Sequence, residues 1–121
     1  MHKETKATSI PESVRQAVKM RDGGICVLCG SYDGQPVAHV IRRSQGGRGI
    51  EENIVTLCPA CHRSYDEGTN LDRFGRGTTR ESLYCWLVAY LKGFYPGWSR
   101  ADMIYRKGAN RRHSATECCN T

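Results

Sequence analysis

The sequence predicts a small α+β domain: a β-hairpin and a short helix held together at their bases, with further helices on either side. Three observations predict it. Two CxxC pairs, Cys26/Cys29 in CVLCG and Cys58/Cys61 in CPAC, have the ligand spacing of one tetrahedral zinc site. Between them, QPVAHVIRR and NIVTL are short β-branched segments separated by the Gly-rich SQGGRG. Outside the pairs, apolar residues recur at helical spacing.

Residues 1–8 are expected to fray, and 9–107 to form a single domain with its core at 24–68. The stretch SIPES predicts a helix start, with Ser9 as cap, Pro11 in the first turn and Glu12 completing a capping box. Val14, Ala17, Val18 and Arg21 give that helix its face, and DGG ends it. CVLCG reads as a tight knuckle with Gly30 left-handed. The hairpin follows, its SQGGRG connection read as a flexible turn. PACHRSYDEG predicts a helix opened by Pro59 and stopped near Gly68. Residues 69–78 read as a loop, and 78–107 as a helical extension. In it Thr78 and Glu81 form a capping-box pattern. Leu83, Leu87, Tyr90, Leu91 and Phe94 repeat at helical spacing with Trp86 alongside, so this helix should supply much of the core. Cys85 reads as core packing there. YPGW breaks the helix, and SRADMIYRK suggests one more short helix and an extended end. The basic stretch 108–121, which holds Cys118 and Cys119, has no periodicity and reads as a disordered tail.

With 121 residues, 39% hydrophobic and 25% charged, the chain has the composition of a globular domain. No apolar run approaches the roughly 20 residues of a membrane span. The polar start MHKETKATSI lacks the apolar core of a signal peptide. These features predict a cytoplasmic protein with no membrane partner. The net charge of +6 favours a polyanion, with nucleic acid the default.

In a reducing compartment two CxxC pairs point to metal rather than disulfides. A Cys₄ zinc is coordinatively closed, so it should hold the fold and do no chemistry. The 28 residues between Cys29 and Cys58 leave room for the hairpin. His39 falls on the first strand, with Val37 and Ile41 on its face. His62 and Asp66 are four apart on the short helix and so share one side of it. An imidazole with a carboxylate is a partial site for Mg²⁺, Mn²⁺ or another divalent ion.

The run AHVIRRSQGGRGIEENIVTLCPACHRSYDEG, with CVLCG upstream, resembles an HNH endonuclease of the ββα-metal class. The match spans about residues 24–68 and includes Gly46, Gly47, NIVTLC and the CxxCH junction. The extension through IYRK is similar to small phage-type HNH proteins. The resemblance places the motif on His39, Asn53 and His62. It implies His39 as general base and Asn53 as the tie that holds the loop between the strands. His62 and Asp66 are implied as ligands of the catalytic ion, and cleavage should yield a 5′-phosphate and a 3′-hydroxyl. In much of the family the residue before the base also binds metal; here it is Ala38, which can bind nothing.

Arg42, Arg43 and Arg48 flank the Gly-rich loop and Arg63 lies on the metal helix, so these four are the candidate phosphate contacts. Arg106, Lys107, Arg111 and Arg112 suit non-specific attraction. Two other readings fit the cysteines and arginines: a non-catalytic zinc-knuckle nucleic-acid module, and an accessory protein of a larger DNA-processing (phage packaging) machine. The binding module has no use for His39 with His62 and Asp66.

Overall fold

The structure is a computed structural model that describes residues 8–105. Helix α1, Glu12–Asp22, starts after Pro11 and ends on left-handed Gly23, whose N–H donates to the Lys19 carbonyl. The expected Ser9 capping box does not form. Pro11 itself is the N-cap and no side chain caps the helix; Ser9 lies two residues before the cap and lines a cleft beside the hairpin. Thr8, expected to be frayed, is buried. Residues 1–7 and the tail expected at 108–121 lie outside the described residues.

Strands β1, Gln35–His39, and β2, Ile54–Leu57, form a two-stranded antiparallel hairpin. Ala38 pairs with Val55 and His39 with Ile54. His39 therefore ends β1 rather than sitting in its middle. A register irregularity between Gln35 and Ala38 marks the place of Pro36, which cannot donate to a ladder. Helix α2, Pro59–Glu67, has Pro59 at its start and left-handed Gly68 at its end, as the sequence predicts.

The 41–53 connection is packed, which corrects its reading as a flexible turn. A Cβ on Gly47 would lie 1.6 Å from the Ile41 carbonyl oxygen, so only glycine fits. The C-terminal segment then zips along it: Tyr105 N–H donates to the Gly46 carbonyl at 2.7 Å and Arg48 N–H to the Met103 carbonyl at 2.8 Å. Trp98 Nε1 donates to the Glu52 carbonyl at 2.8 Å.

After a 3₁₀ turn at Leu71–Phe74 comes helix α3, Arg80–Phe94. Its capping box is Thr79 with Ser82, one residue later than expected. Thr78 is unavailable because its hydroxyl donates to the Gly75 carbonyl and closes the preceding turn. Leu83, Leu87, Val88 and Leu91 are buried against the hairpin and α2. Each buried side chain of this size contributes about 1.5–3 kcal/mol. Trp86 and Phe94 are half-exposed, and Cys85 is half-buried; Val88 takes the core place that the sequence pattern gave to the aromatics.

One polar network ties α1 to the rest. Arg21 pairs with Asp22 at 2.8 Å and donates to the carbonyls of Glu51 and Ile54. Asp22 accepts from the Thr56 N–H and the Tyr90 hydroxyl. Its carboxylate side chain is 0% exposed. Replacing Arg21 by Ala leaves that charge buried without its cation, and breaking such a pair costs about 3–5 kcal/mol. Urea unfolding of Arg21→Ala should show a loss of that size; a midpoint equal to wild type would contradict it.

Candidate active site and metal centre

The four knuckle cysteines converge. Their sulfurs all lie within 4.8 Å of one another, and Cys29 Sγ is 3.7 Å from Cys58 Sγ. Tetrahedral Zn–S bonds of about 2.3 Å require sulfurs about 3.8 Å apart, so the cluster fits zinc. Each knuckle is closed by an amide: Cys29 N–H donates to Cys26 Sγ and Cys61 N–H to Cys58 Sγ, both at 3.4 Å. Arg73 Nη1 donates to Cys61 Sγ at 3.2 Å, an outer contact suited to thiolate charge. A hydrogen bond with Ser31 holds the Cys29 thiol down to about 6, while burial pushes Cys61 up. Among the described residues this is the one group of His, Cys, Asp or Glu side chains arranged as a metal cage.

Beside the hairpin lies a cleft of about 690 Å³ whose walls include His39, His62 and Asp66 together with Arg15, Arg42 and Arg43. The hairpin and α2 thus bring the three sequence-predicted side chains to one place. The alternation of β1 explains how: Val37 and His39 line the cleft, while Ala38 turns into the core. Ala38 is 1% exposed, so no third ligand projects from its position.

His39 is 5% exposed, and its Nε2 lies 2.8 Å from the Thr8 carbonyl oxygen. Burial lowers its pKa below the ordinary 6.5; the Thr8 carbonyl works against this, and the charge of Arg43 adds to it. Burial therefore favours the neutral ring. His62 Nε2 is 3.1 Å from Asp66 Oδ2. Two adjacent ligands of an octahedral ion with bonds near 2.1 Å stand about 3.0 Å apart, so the pair fits one divalent ion. Tyr65, from the buried side of the same helix, donates to the Val40 carbonyl at 2.7 Å and fixes α2 to the end of β1. Arg80 closes the helix end by donating to the carbonyls of Tyr65 and Asp66.

Asn53 is fully buried and clamps the connection. Its Oδ1 accepts from Ile41 N–H at 2.8 Å, and its Nδ2 donates to the carbonyls of Ile41 and Arg48. Replacing it by Ala strands one N–H and two carbonyls, at about 1–3 kcal/mol for each group left unpaired in the interior. Asn53→Ala should lose at least about 3 kcal/mol in urea unfolding and also disturb the position of His39. An unchanged midpoint would contradict the clamp.

Of the expected phosphate contacts, Arg42 and Arg43 line the cleft. Arg48 does not; its Nη1 donates to the Asp102 carbonyl at 3.0 Å. Arg63 is exposed on α2 and outside the cleft walls. Arg15 was not among the expected contacts. It carries no motif, and only the packing of α1 beside β1 brings it to the cleft. The basic run at Arg106, Lys107, Arg111 and Arg112 lies outside the described residues.

A hairpin and helix sharing a Cys₄ knuckle, with His, Asn and His on strand, loop and helix, define a ββα-metal type of site. Comparison with known proteins agrees. The family described as HNH endonuclease matches residues 26–68. Type IV methyl-directed restriction enzyme EcoKMcrA of Escherichia coli (strain K12) is 38% identical over 66 residues, 47% of this chain and 24% of that protein. Anaredoxin of Nostoc sp. is 33% identical over 55 residues, 45% of this chain and 72% of the relative. The chain belongs to the HNH endonuclease family through residues 26–68. It spans about a quarter of the length of the restriction enzyme. No solved structure matches the chain.

Proposed function

We propose that the chain is a metal-dependent DNA endonuclease that hydrolyses phosphodiesters to a 5′-phosphate and a 3′-hydroxyl. The observation that carries this reading is the shared cleft of His39, His62 and Asp66. The Cys₄ group would hold zinc as a structural ion. His62 and Asp66 would hold Mg²⁺ or Mn²⁺, which when bound supplies positive charge to the phosphate and its leaving oxygen. Neutral His39 takes a proton from water through the nitrogen not bonded to Thr8. Asn53 holds the loop that carries this geometry. Arg15, Arg42 and Arg43 bind phosphate oxygens along the cleft. The net charge of +6 supports a nucleic-acid partner, and no helix among the described residues is long and apolar enough to cross a membrane.

A buried Ala38 in place of a further ligand favours the second reading, a zinc-knuckle binding module without catalysis or an accessory part of a DNA-processing complex such as a phage packaging machine. The pH profile of plasmid nicking separates the two. A base is active when neutral, and the His39 pKa is lowered. The rate should be flat from pH 7 upward and fall on acidification only below pH 6.5. A limb centred above that value would contradict His39 as base, and nicking absent at every pH would favour the binding module.

A further inference from the structure

His39 is held by a part of the chain outside the stretch that matches the family. The bond from its Nε2 ends on the Thr8 carbonyl oxygen at 2.8 Å. A carbonyl only accepts, so Nε2 carries the hydrogen and Nδ1 keeps the lone pair. Thr8 is itself 3% exposed, and its hydroxyl accepts from Arg43 Nε at 3.3 Å. The adjoining Ser9 backbone is seated on Gly49, where an added Cβ would stand 1.9 Å from the Ser9 oxygen and 3.0 Å from that of Thr8. Gly49 follows Arg48, whose carbonyl is fixed by Asn53. A continuous set of contacts therefore runs from Asn53 through Gly49 and the Thr8–Ser9 backbone to the ring of His39.

We propose that the Thr8–Ser9 segment is a working part of the active site, with the Thr8 carbonyl as the positioning group that makes Nδ1 the basic nitrogen of His39. The effect on rate rests on the endonuclease reading; the state of the ring does not. Gly49 is the lever: it is remote in sequence from Thr8, and its missing Cβ lets the segment lie where His39 can reach it.

The test is Gly49→Ala in the full zinc-loaded chain, read by ¹⁵N NMR of the His39 ring and by plasmid nicking. Wild type should show a neutral ring with an Nε2–H shielded from solvent exchange. In Gly49→Ala the methyl displaces the Ser9 backbone. The shielding should disappear and nicking slow about 10- to 100-fold, part of the 10²–10⁴ that a positioned base supplies. Zinc content should stay at the wild-type value. Gly93→Ala, whose Cβ meets nothing within 4 Å, should keep both signal and rate. A wild-type ring protonated on Nδ1, or without a shielded Nε2–H, overturns the proposal even if Gly49→Ala fails to fold. A folded Gly49→Ala in which either signal or rate is unchanged also overturns it. A wild type with the shielded Nε2–H that never nicks refutes the endonuclease reading and upholds the positioning of the ring.

Discussion

His39→Ala should fold, keep its zinc and lose nicking by 10²–10⁴, the usual contribution of a positioned base. The ring makes one hydrogen bond that the structure shows, to a backbone carbonyl, and lies at the end of β1 on the cleft side. Its removal opens space toward solvent and leaves the core cluster of Val40, Val55, Leu87 and Leu91 untouched. The Thr8 carbonyl is buried beside the ring, and water entering from the cleft fills the vacated space and takes over its hydrogen bond. The melting temperature should therefore change little while the rate collapses. Thermal melting beside a plasmid-nicking assay checks both parts. Equal nicking by the variant would remove His39 from the mechanism.

Cys58→Ser should lose zinc and with it the folded state. Cys58 does two things: it is one of the four clustered thiols, and its sulfur caps α2 by accepting from Cys61 N–H. Serine is among the best N-cap residues, so the cap survives the substitution. What is lost is a thiolate ligand, and structural zinc contributes about 10–16 kcal/mol of apparent binding free energy to such folds. A domain with one short hairpin over its core cannot absorb that loss. Metal analysis and circular dichroism of the variant check it. A folded Cys58→Ser protein with wild-type melting would show that the four sulfurs do not form a structural zinc site.

What could be read from the sequence was local. Each CxxC knuckle is set within four residues, and Pro59 and Gly68 bracket α2 by their own backbone preferences. His62 and Asp66 follow from helical spacing alone. What could not be read was set by contacts distant in the chain. Thr8 looks like the edge of a polar tail, yet the missing Cβ of Gly49 gives its backbone a seat. Arg15 carries no signal in the sequence, and the packing of α1 beside the hairpin brings it to the cleft. Arg48 looks like a loop cation, but its side chain is turned to the Asp102 carbonyl by the C-terminal segment zipped along the loop. The cap of α3 falls one residue later than the sequence pattern suggests, because Thr78 and Thr79 are equivalent as cap residues in sequence. Only the turn closed by Thr78 onto Gly75 decides between them. Trp86 and Phe94 lie on the outer side of α3, where Trp86 stacks at 5.8 Å on Tyr90, a ring partly packed against the core.

In the proposed endonuclease, His39 works across a cleft from an ion held by His62 and Asp66. Nicking of supercoiled plasmid by the wild-type protein and by Asp66→Ala, across a series of Mg²⁺ and Mn²⁺ concentrations, decides whether it does. Nicking should be absent without added divalent ion and saturable in wild type, and Asp66→Ala should require much higher metal with zinc content unchanged. Metal-independent nicking, or the same metal dependence in both proteins, would contradict it.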